Sequence, residues 1–354
     1  MRTKFFILML ASAAMCICCS KPQSLTYGQQ TQGNQGGNTS GEKPPVVTDS
    51  KYSSTLYDTL KIMTFNILMS HKSDTGVQRW SVRKPACMKM IKELKPDIIG
   101  LQECPQSQYN DFLAALPDYA GRNIPENRKN FGTSILYRKD RFKLKESGYL
   151  WFSDSPTQPS TAWPSICDDP CYRTYIWTDL ELKNHNRTIY FYTKHVPRNY
   201  TSAHPNNEAR KKCSQAIVDH ASQRLAKDDA VIVTGDLNCK LATETESLQP
   251  FLNWMNCSWR SLPNNAHDWY RAHNSYEEGC PKYGIDESVD HIFFRNLEPL
   301  SYKTVWEPYE NVRYLSDHYP ILFTTLVSYQ EEVGSQTSDN GLEGYENGEK
   351  VDIW

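Results

Sequence analysis

Residues 231–238 read VIVTGDLN. Ala230 to Thr234 is a short, nearly unbroken apolar run rich in β-branched residues, which predicts a strand buried in the middle of a sheet. At its carboxyl end the chain turns polar at once, with Gly235, Asp236 and Asn238. The same sequence of events recurs elsewhere. KIMTFNIL (61–68) reads as a strand with Asn66 near its end, and DIIGLQ (97–102) as a strand followed directly by Glu103. Thr188–His195 ends on His195, Asp290 lies in SVDHIFF, and Asp317-His318 precedes a final strand over 321–327. Strand ends gather along one edge of a sheet, so these acids, amides and imidazoles are predicted to share a cleft.

The stretches between are helical or turn-like. Trp80–Leu94 sets Cys87, Met90, Ile91 and Leu94 on one helical face and stops at Pro96. Gln108–Leu116 predicts a short helix before Pro117, and Glu208–Leu225 a long one. Thr133–Tyr137, Tyr149–Phe152 and Tyr175–Leu182 read as further strands, the last joined to Thr188–His195 by the hairpin-like KNHNR (183–187). Some strand pairs are antiparallel and others need helical crossovers. This α+β pattern, without an internal sequence repeat, predicts a mixed two-sheet sandwich covered by helices.

Carboxylate oxygens with water suit Mg²⁺ or Mn²⁺, and such a cation neutralises charge growing on a phosphate. Each residue alone has a structural reading. Asn66 caps a turn, GDLN is a β-turn, His195 is a core histidine, and Ser316-Asp317-His318 is a cap. Their order along the chain favours chemistry. MTFNI (63–67), IIGLQE (98–103), YTKH (192–195), VIVTGDLN (231–238), VDHIFF (289–294) and SDHYPI (316–321) resemble the endonuclease/exonuclease/phosphatase superfamily, with its deoxyribonuclease I-like fold. GYLWFSDSP (148–156) with Arg173, Trp177 and Arg210 resembles a bacterial, deadenylase-like branch.

The resemblance implies a four-layer α/β/β/α sandwich and a Mg²⁺-dependent phosphoesterase, with Mn²⁺ as the alternative to Mg²⁺. Position by position, it implies a metal site at Asn66 and Glu103, with Glu103 the direct ligand, and Asp317 a further carboxylate on the metal side. His195 contacts the scissile phosphate or protonates the leaving oxygen. Asp236 aligns or deprotonates the attacking water, and Asn238 holds the phosphate. Asp290 orients His318, which stabilises the pentavalent phosphorus. Arg173 and Arg210 are candidates for phosphate or structural contacts. Two departures stand out: Thr193-Lys194-His195 replaces the usual Asn-Thr-His, and Asn130-Phe131-Gly132 stands where the branch has Gly-Glu, with Glu126 the nearby substitute. Lys194 alternates with His195 and so points to the other face of its strand.

The 354 residues are 39% hydrophobic and 23% charged, which excludes collagen-like, wholly disordered and polytopic membrane classes. Arg2 and Lys4 precede an apolar run, Phe5 to Met15, too short to span a bilayer, and then Cys16, Cys18 and Cys19. This predicts a lipoprotein-type signal over 1–19, lipidated on Cys19 or Cys18, and an exported, membrane-anchored protein of the cell envelope. Residues 20–57 read as a tether and 328–354 as an acidic tail. The tail carries −6 and residues 1–57 carry +3, so the overall −2 leaves +1 on the domain at 58–327. That near-neutrality argues against a processive nuclease. The substrate class stays open among nucleic acid, phospholipid headgroup and phosphosugar, and no protein partner is predicted. An extracellular nuclease, or a surface binding protein without catalysis, are the alternatives. Trp254, Trp259, Trp269, Tyr270 and Tyr276 either line a sugar or base site or pack the core. Cys167 and Cys171 are spaced to close a small loop, and Cys87 and Cys213 read as buried thiols.

Overall fold

The computed structural model describes residues 55–330 apart from 125–131, 170–171, 184, 186, 200–205, 227, 264–269 and 278–283, together with 344–346 and 349–351. The chain first lays down β1 (Thr55–Asn66), α1 (Trp80–Leu94), β2 (Ile98–Gln102), α2 (Gln106–Ala115), β3 (Tyr119–Asn123) and β4 (Thr133–Arg138). A second series follows: β5 (Phe142–Trp151), β6 (Thr174–Leu182), β7 (Thr188–His195), α3 (Asn207–Ser222), β8 (Ala230–Asp236), α4 (Thr245–Trp254), β9 (Asn256–Cys257) and β10 (Asp290–Arg295). β11 (Glu298–Thr304) and β12 (Ile321–Gln330) return to the first sheet, and β13 (Gly344–Glu346) pairs with β14 (Glu349–Val351).

Two six-stranded sheets result, in the orders β11-β12-β1-β2-β4-β3 and β5-β6-β7-β8-β10-β9. Their plans match. Each has one parallel pair, β1–β2 in the first and β7–β8 in the second, flanked by antiparallel strands. A parallel pair needs a crossover, and α1 and α3 supply the two. Each helix pair covers the outer face of its sheet. Ala86, Cys87, Met90, Ile91 and Phe112 pack on Met63, Phe65, Ile99 and Leu101. Ala209, Cys213, Ile217, Leu248 and Phe251 pack on Tyr192, Val231, Val233 and Phe293. The four-layer expectation is therefore correct.

The two-residue period of a strand explains how the interior is zoned. Along the inner faces, Ile62, Ile98, Ile189, Phe191, Ala230, Ile232, Ile292 and Phe294 form the core between the sheets. One step further come Thr64, Thr193 and Thr234, all buried. One step beyond them come Asn66, His195 and Asp236. Gly100 lies level with the threonines, opposite Thr64 in the register. A Cβ there would sit 2.3 Å from Thr234 Oγ1 and 2.5 Å from Thr193 Oγ1, so the two sheets approach where this glycine leaves room. Gln102 closes the polar belt, donating from Nε2 to Thr193 Oγ1 at 2.8 Å.

The expected strands and crossover helices are present, with different ends. β1 starts at Thr55 rather than Lys61, because its first five residues alternate exposed and half-buried and lack an apolar run. β5 begins at Phe142 for the same reason. α4, β3 and β11 were not anticipated: α4 holds Pro250, and β3 and β11 are sheet edges. Cys87 and Cys213 are buried free thiols. Cys167 is a free, half-buried thiol, and Cys171 lies outside the described residues. No helix among the described residues is long and apolar enough to cross a membrane.

Candidate active site

In each sheet the parallel pair ends at the same pole, and ligand sites in such sheets lie off the carboxyl ends of parallel strands. Here two sets of ends face one another. β1 delivers Asn66, β2 Glu103, β7 His195 and β8 Asp236. Antiparallel β10 starts at this pole with Asp290, opposite Asp236 in the register. His318 arrives on the segment leading into β12.

Asn66 ties the halves together. Its Nδ2 donates to Asp236 Oδ2 at 3.0 Å and to Glu103 Oε1 at 3.4 Å, while its Oδ1 accepts Leu68 N–H. His195 Nε2 lies 3.4 Å and His318 Nε2 3.9 Å from Asp236 Oδ2. His318 Nδ1 bonds Asp290 Oδ2 at 2.7 Å. Asp236 Oδ1 accepts the Asn238 N–H at 2.9 Å, and Asn238 Nδ2 donates to Val196 O at 3.0 Å. Asp317 accepts Ser316 Oγ–H at 3.1 Å and is close enough to Glu103 to oppose its ionisation. Asn66, Glu103, His195, Asp236, Asn238, Asp290, Asp317 and His318 thus form one cluster.

Its electrostatics separate the two histidines. Burial, then the Arg173 and His318 cations, hold His195 well below the usual imidazole value, so it is neutral. Burial also works against charge on His318, but the Asp290, Asp236 and Asp317 carboxylates outweigh it and push the group up to about 10. His318 is therefore an imidazolium at neutral pH. Burial and Asp317 raise Glu103, and burial and Asp290 raise Asp236. Carboxylates crowded to this degree need a cation, and their hard oxygen donors fit a divalent ion such as Mg²⁺ or Mn²⁺. Glu103 and Asn238 also hold left-handed backbone, φ 53° and 46°. Asparagine tolerates this better than glutamate, and strain of this kind gathers at functional sites.

Buried side chains outside the cluster brace its loops. Arg83, fully buried on α1, gives Nη1 to Ile67 O and Leu315 O, Nη2 to Leu68 O and Nε to Gln78 O. It thereby clamps the segments that follow Asn66 and precede His318. Gln108 on α2 bonds Ser70 N and Leu68 O. Sequence alone hid both, because an arginine or glutamine on a helix reads as a solvated residue. Arg210 is taken up by Pro197 O, Asn207, Asn199 and Glu244, tying the chain after β7 to the loop after β8. Arg173 is buried in an ion pair with Asp169 and reaches His195 electrostatically. These are the structural contacts of the two kinds expected for the arginines.

Lys194 does point away from His195, into the layer below α4. It is fully buried, with Nζ 3.6 Å from the Phe251 ring centre and no hydrogen-bond partner among the described residues. Trp254 and Trp259 pack against the core under α3 and α4, which is the packing reading of that aromatic stretch. Trp269 and Glu126 lie outside the described residues. His273, which the sequence pattern did not mark, lies beside His318 with ring centres 4.8 Å apart. It belongs to an irregular segment with no period to draw attention to it.

Similarity to known proteins bears on this geometry. Residues 63–318 match the model of the Endonuclease/Exonuclease/phosphatase family. An endonuclease/exonuclease/phosphatase family protein of Bacteroides thetaiotaomicron superposes with TM-score 0.66 at 22% identity, over 77% of this chain and 97% of that one. A mannosyl-6-phosphatase of the same organism gives 0.62 at 22%, over 75% and 99%. D. rerio TDP2, complexed with a single-strand DNA product, gives 0.59 at 20%, over 75% and 98%.

Proposed function

Because this chain belongs to the endonuclease/exonuclease/phosphatase family, whose members are metal-dependent phosphoester hydrolases, we propose that it is an exported, membrane-tethered, Mg²⁺-dependent phosphoesterase that drives an activated water in line at phosphorus. The observation that carries the reading is the meeting of Asn66, Glu103, Asp236, Asp290 and His318 from two sheets around one space.

Glu103 and Asp317 would hold the cation, with Asn66 keeping Glu103 in place. When bound, the ion neutralises charge on the phosphate and on the leaving oxygen. The chain's own groups divide the remaining work. Asp236 is held by Asn66 on one oxygen and by the Asn238 N–H on the other, and its raised affinity for a proton suits it to take one from water. The new P–O bond forms as the bond to the leaving oxygen breaks. His318, charged and fixed through Nδ1 by Asp290, points Nε2–H at a phosphate oxygen whose charge grows in the transition state. Asn238 steadies the same group. Neutral His195, beside Asp236, contacts the phosphate, and the leaving oxygen takes its proton from solvent water.

Small soluble phosphoesters are favoured over polynucleotides. The domain charge is near zero, and Arg138 and Arg141, in the basic stretch 138–141, are paired with Asp97, Asp140 and Asp58. The mannosyl-6-phosphatase and the DNA-bound TDP2 on the same frame define the two arms of a substrate panel. Export and tethering rest on Arg2, Lys4, the apolar run to Met15, and Cys19 or Cys18.

The deciding experiment assays the full chain on p-nitrophenyl phosphate, its bis ester, phosphosugars and single-stranded DNA, with Mg²⁺ and with EDTA. Turnover should require the metal, and Asp236→Ala and His318→Ala should each lower it about 10²–10⁴-fold with the fold intact. Equal rates in the variants and wild type would remove the mechanism. Preference for DNA over every small ester would favour the nuclease alternative.

A further inference from the structure

We propose that His273, Asp317 and His318 form a second cation position, which shares Asp317 with the oxygen site at Glu103 but draws its other two donors from imidazoles, and that it takes Zn²⁺ and switches the hydrolase off. The switching rests on the function proposed above, whereas the binding does not.

One ligand atom from each of the three residues lies within 4.8 Å of the other two. Small rotations bring such a set onto a sphere of about 2.0–2.2 Å around a tetrahedral zinc, leaving the fourth position for water. The donors differ from those at Glu103: two imidazoles and one carboxylate suit Zn²⁺, while Mg²⁺ prefers oxygen alone.

Ligating histidines almost always hydrogen-bond through the ring nitrogen that is not on the metal, and both histidines already do so. His318 Nδ1 is held by Asp290 at 2.7 Å, which turns Nε2 toward the cleft. His273 Nε2 is 3.0 Å from Ser275 Oγ, which leaves Nδ1. The backbone fixes the pair, because His273 and His318 form a bridge and Asn274 N and Ser275 N both bond Asp317 O, at 2.7 and 3.1 Å. Asp317 is held through one oxygen by Ser316, so the other is available.

Inhibition follows from sharing His318. A zinc ion on Nε2 occupies the ring position that Asp290 turns toward the cleft, and the imidazole can then no longer reach the phosphate through it. No bond in the substrate is involved.

The metal-free full chain is titrated with Co²⁺, which reports four-coordinate sites by visible absorption, and with Zn²⁺ alone by calorimetry. Wild type and Glu103→Gln should give the Co²⁺ band. His273→Gln should lose it, and Ser275→Ala should weaken zinc binding about 10-fold or more. With Mg²⁺ saturating, His273→Gln should keep its turnover while at least 10-fold more Zn²⁺ is needed to inhibit it. The proposal is overturned if the band survives His273→Gln or vanishes in Glu103→Gln, or if zinc inhibits both proteins alike. A chain that binds Co²⁺ through His273 but hydrolyses no phosphoester would sink the proposed function and spare the site.

Discussion

At the scale of single residues, the cluster works because environment separates like groups. His195 and His318 both face Asp236, yet the Asp290 carboxylate on the far nitrogen of His318 helps to hold a proton there, while burial and the Arg173 cation keep His195 neutral. Asp290→Asn would keep the shape and remove that charge. Turnover should fall about 10²–10⁴-fold with little change in KM for a small ester, and a variant within threefold of wild type would refute the assignment. Lys194 is the opposite case, a group with a cost and no part in the chemistry. Burial holds its amine well below the ordinary 10.5. The unfolded chain therefore binds the extra proton between the lowered value and 10.5, and stability rises with pH across that window. Lys194→Met should add about 1–3 kcal/mol at neutral pH and flatten the slope, as denaturant titrations at pH 7 and 10 would reveal. Lower stability in the variant would mean that the contact with Phe251 outweighs the buried amine.

At the scale of elements, the inner-face zoning makes Gly100 a spacer between the sheets. Gly100→Ala puts a methyl group into the Thr193 and Thr234 hydroxyls. It should cost about 1–3 kcal/mol and lower kcat, because the facing strand ends are pushed apart; unchanged melting and turnover would contradict this. The strand ends were legible in the sequence because an apolar run that stops abruptly at Asn66, Glu103, His195 or Asp236 carries its own boundary. The crossover helix α1 was legible from its spaced apolar face and Pro96. What stayed hidden has a physical reason each time. Arg83 spends its charge on backbone carbonyls, which leave no pattern. His273 acts through an irregular segment. α4 contains Pro250, and β11 is an edge strand with Pro299 and an exposed Leu300.

At the scale of the molecule, the two matching sheets each bring half of the chemistry, so neither is competent alone. The domain charge of +1 and the pairing of Arg138 and Arg141 are what favour a small phosphoester in the function proposed above. For a small phosphoester, kcat/KM should change less than about tenfold between 50 and 200 mM NaCl, whereas a protein making 6–10 phosphate contacts loses about 10³–10⁵ in affinity over that range. A steep salt dependence would reopen the nucleic-acid reading.

β1 connects the two poles. Thr55 pairs with Gln330 at one end, and Asn66 stands among the reacting groups at the other, about 36 Å away along an extended strand. Thr55 and Gln330 therefore lie at the pole opposite the chemistry. The proposed tether would join the fold at that far pole, away from the reacting groups.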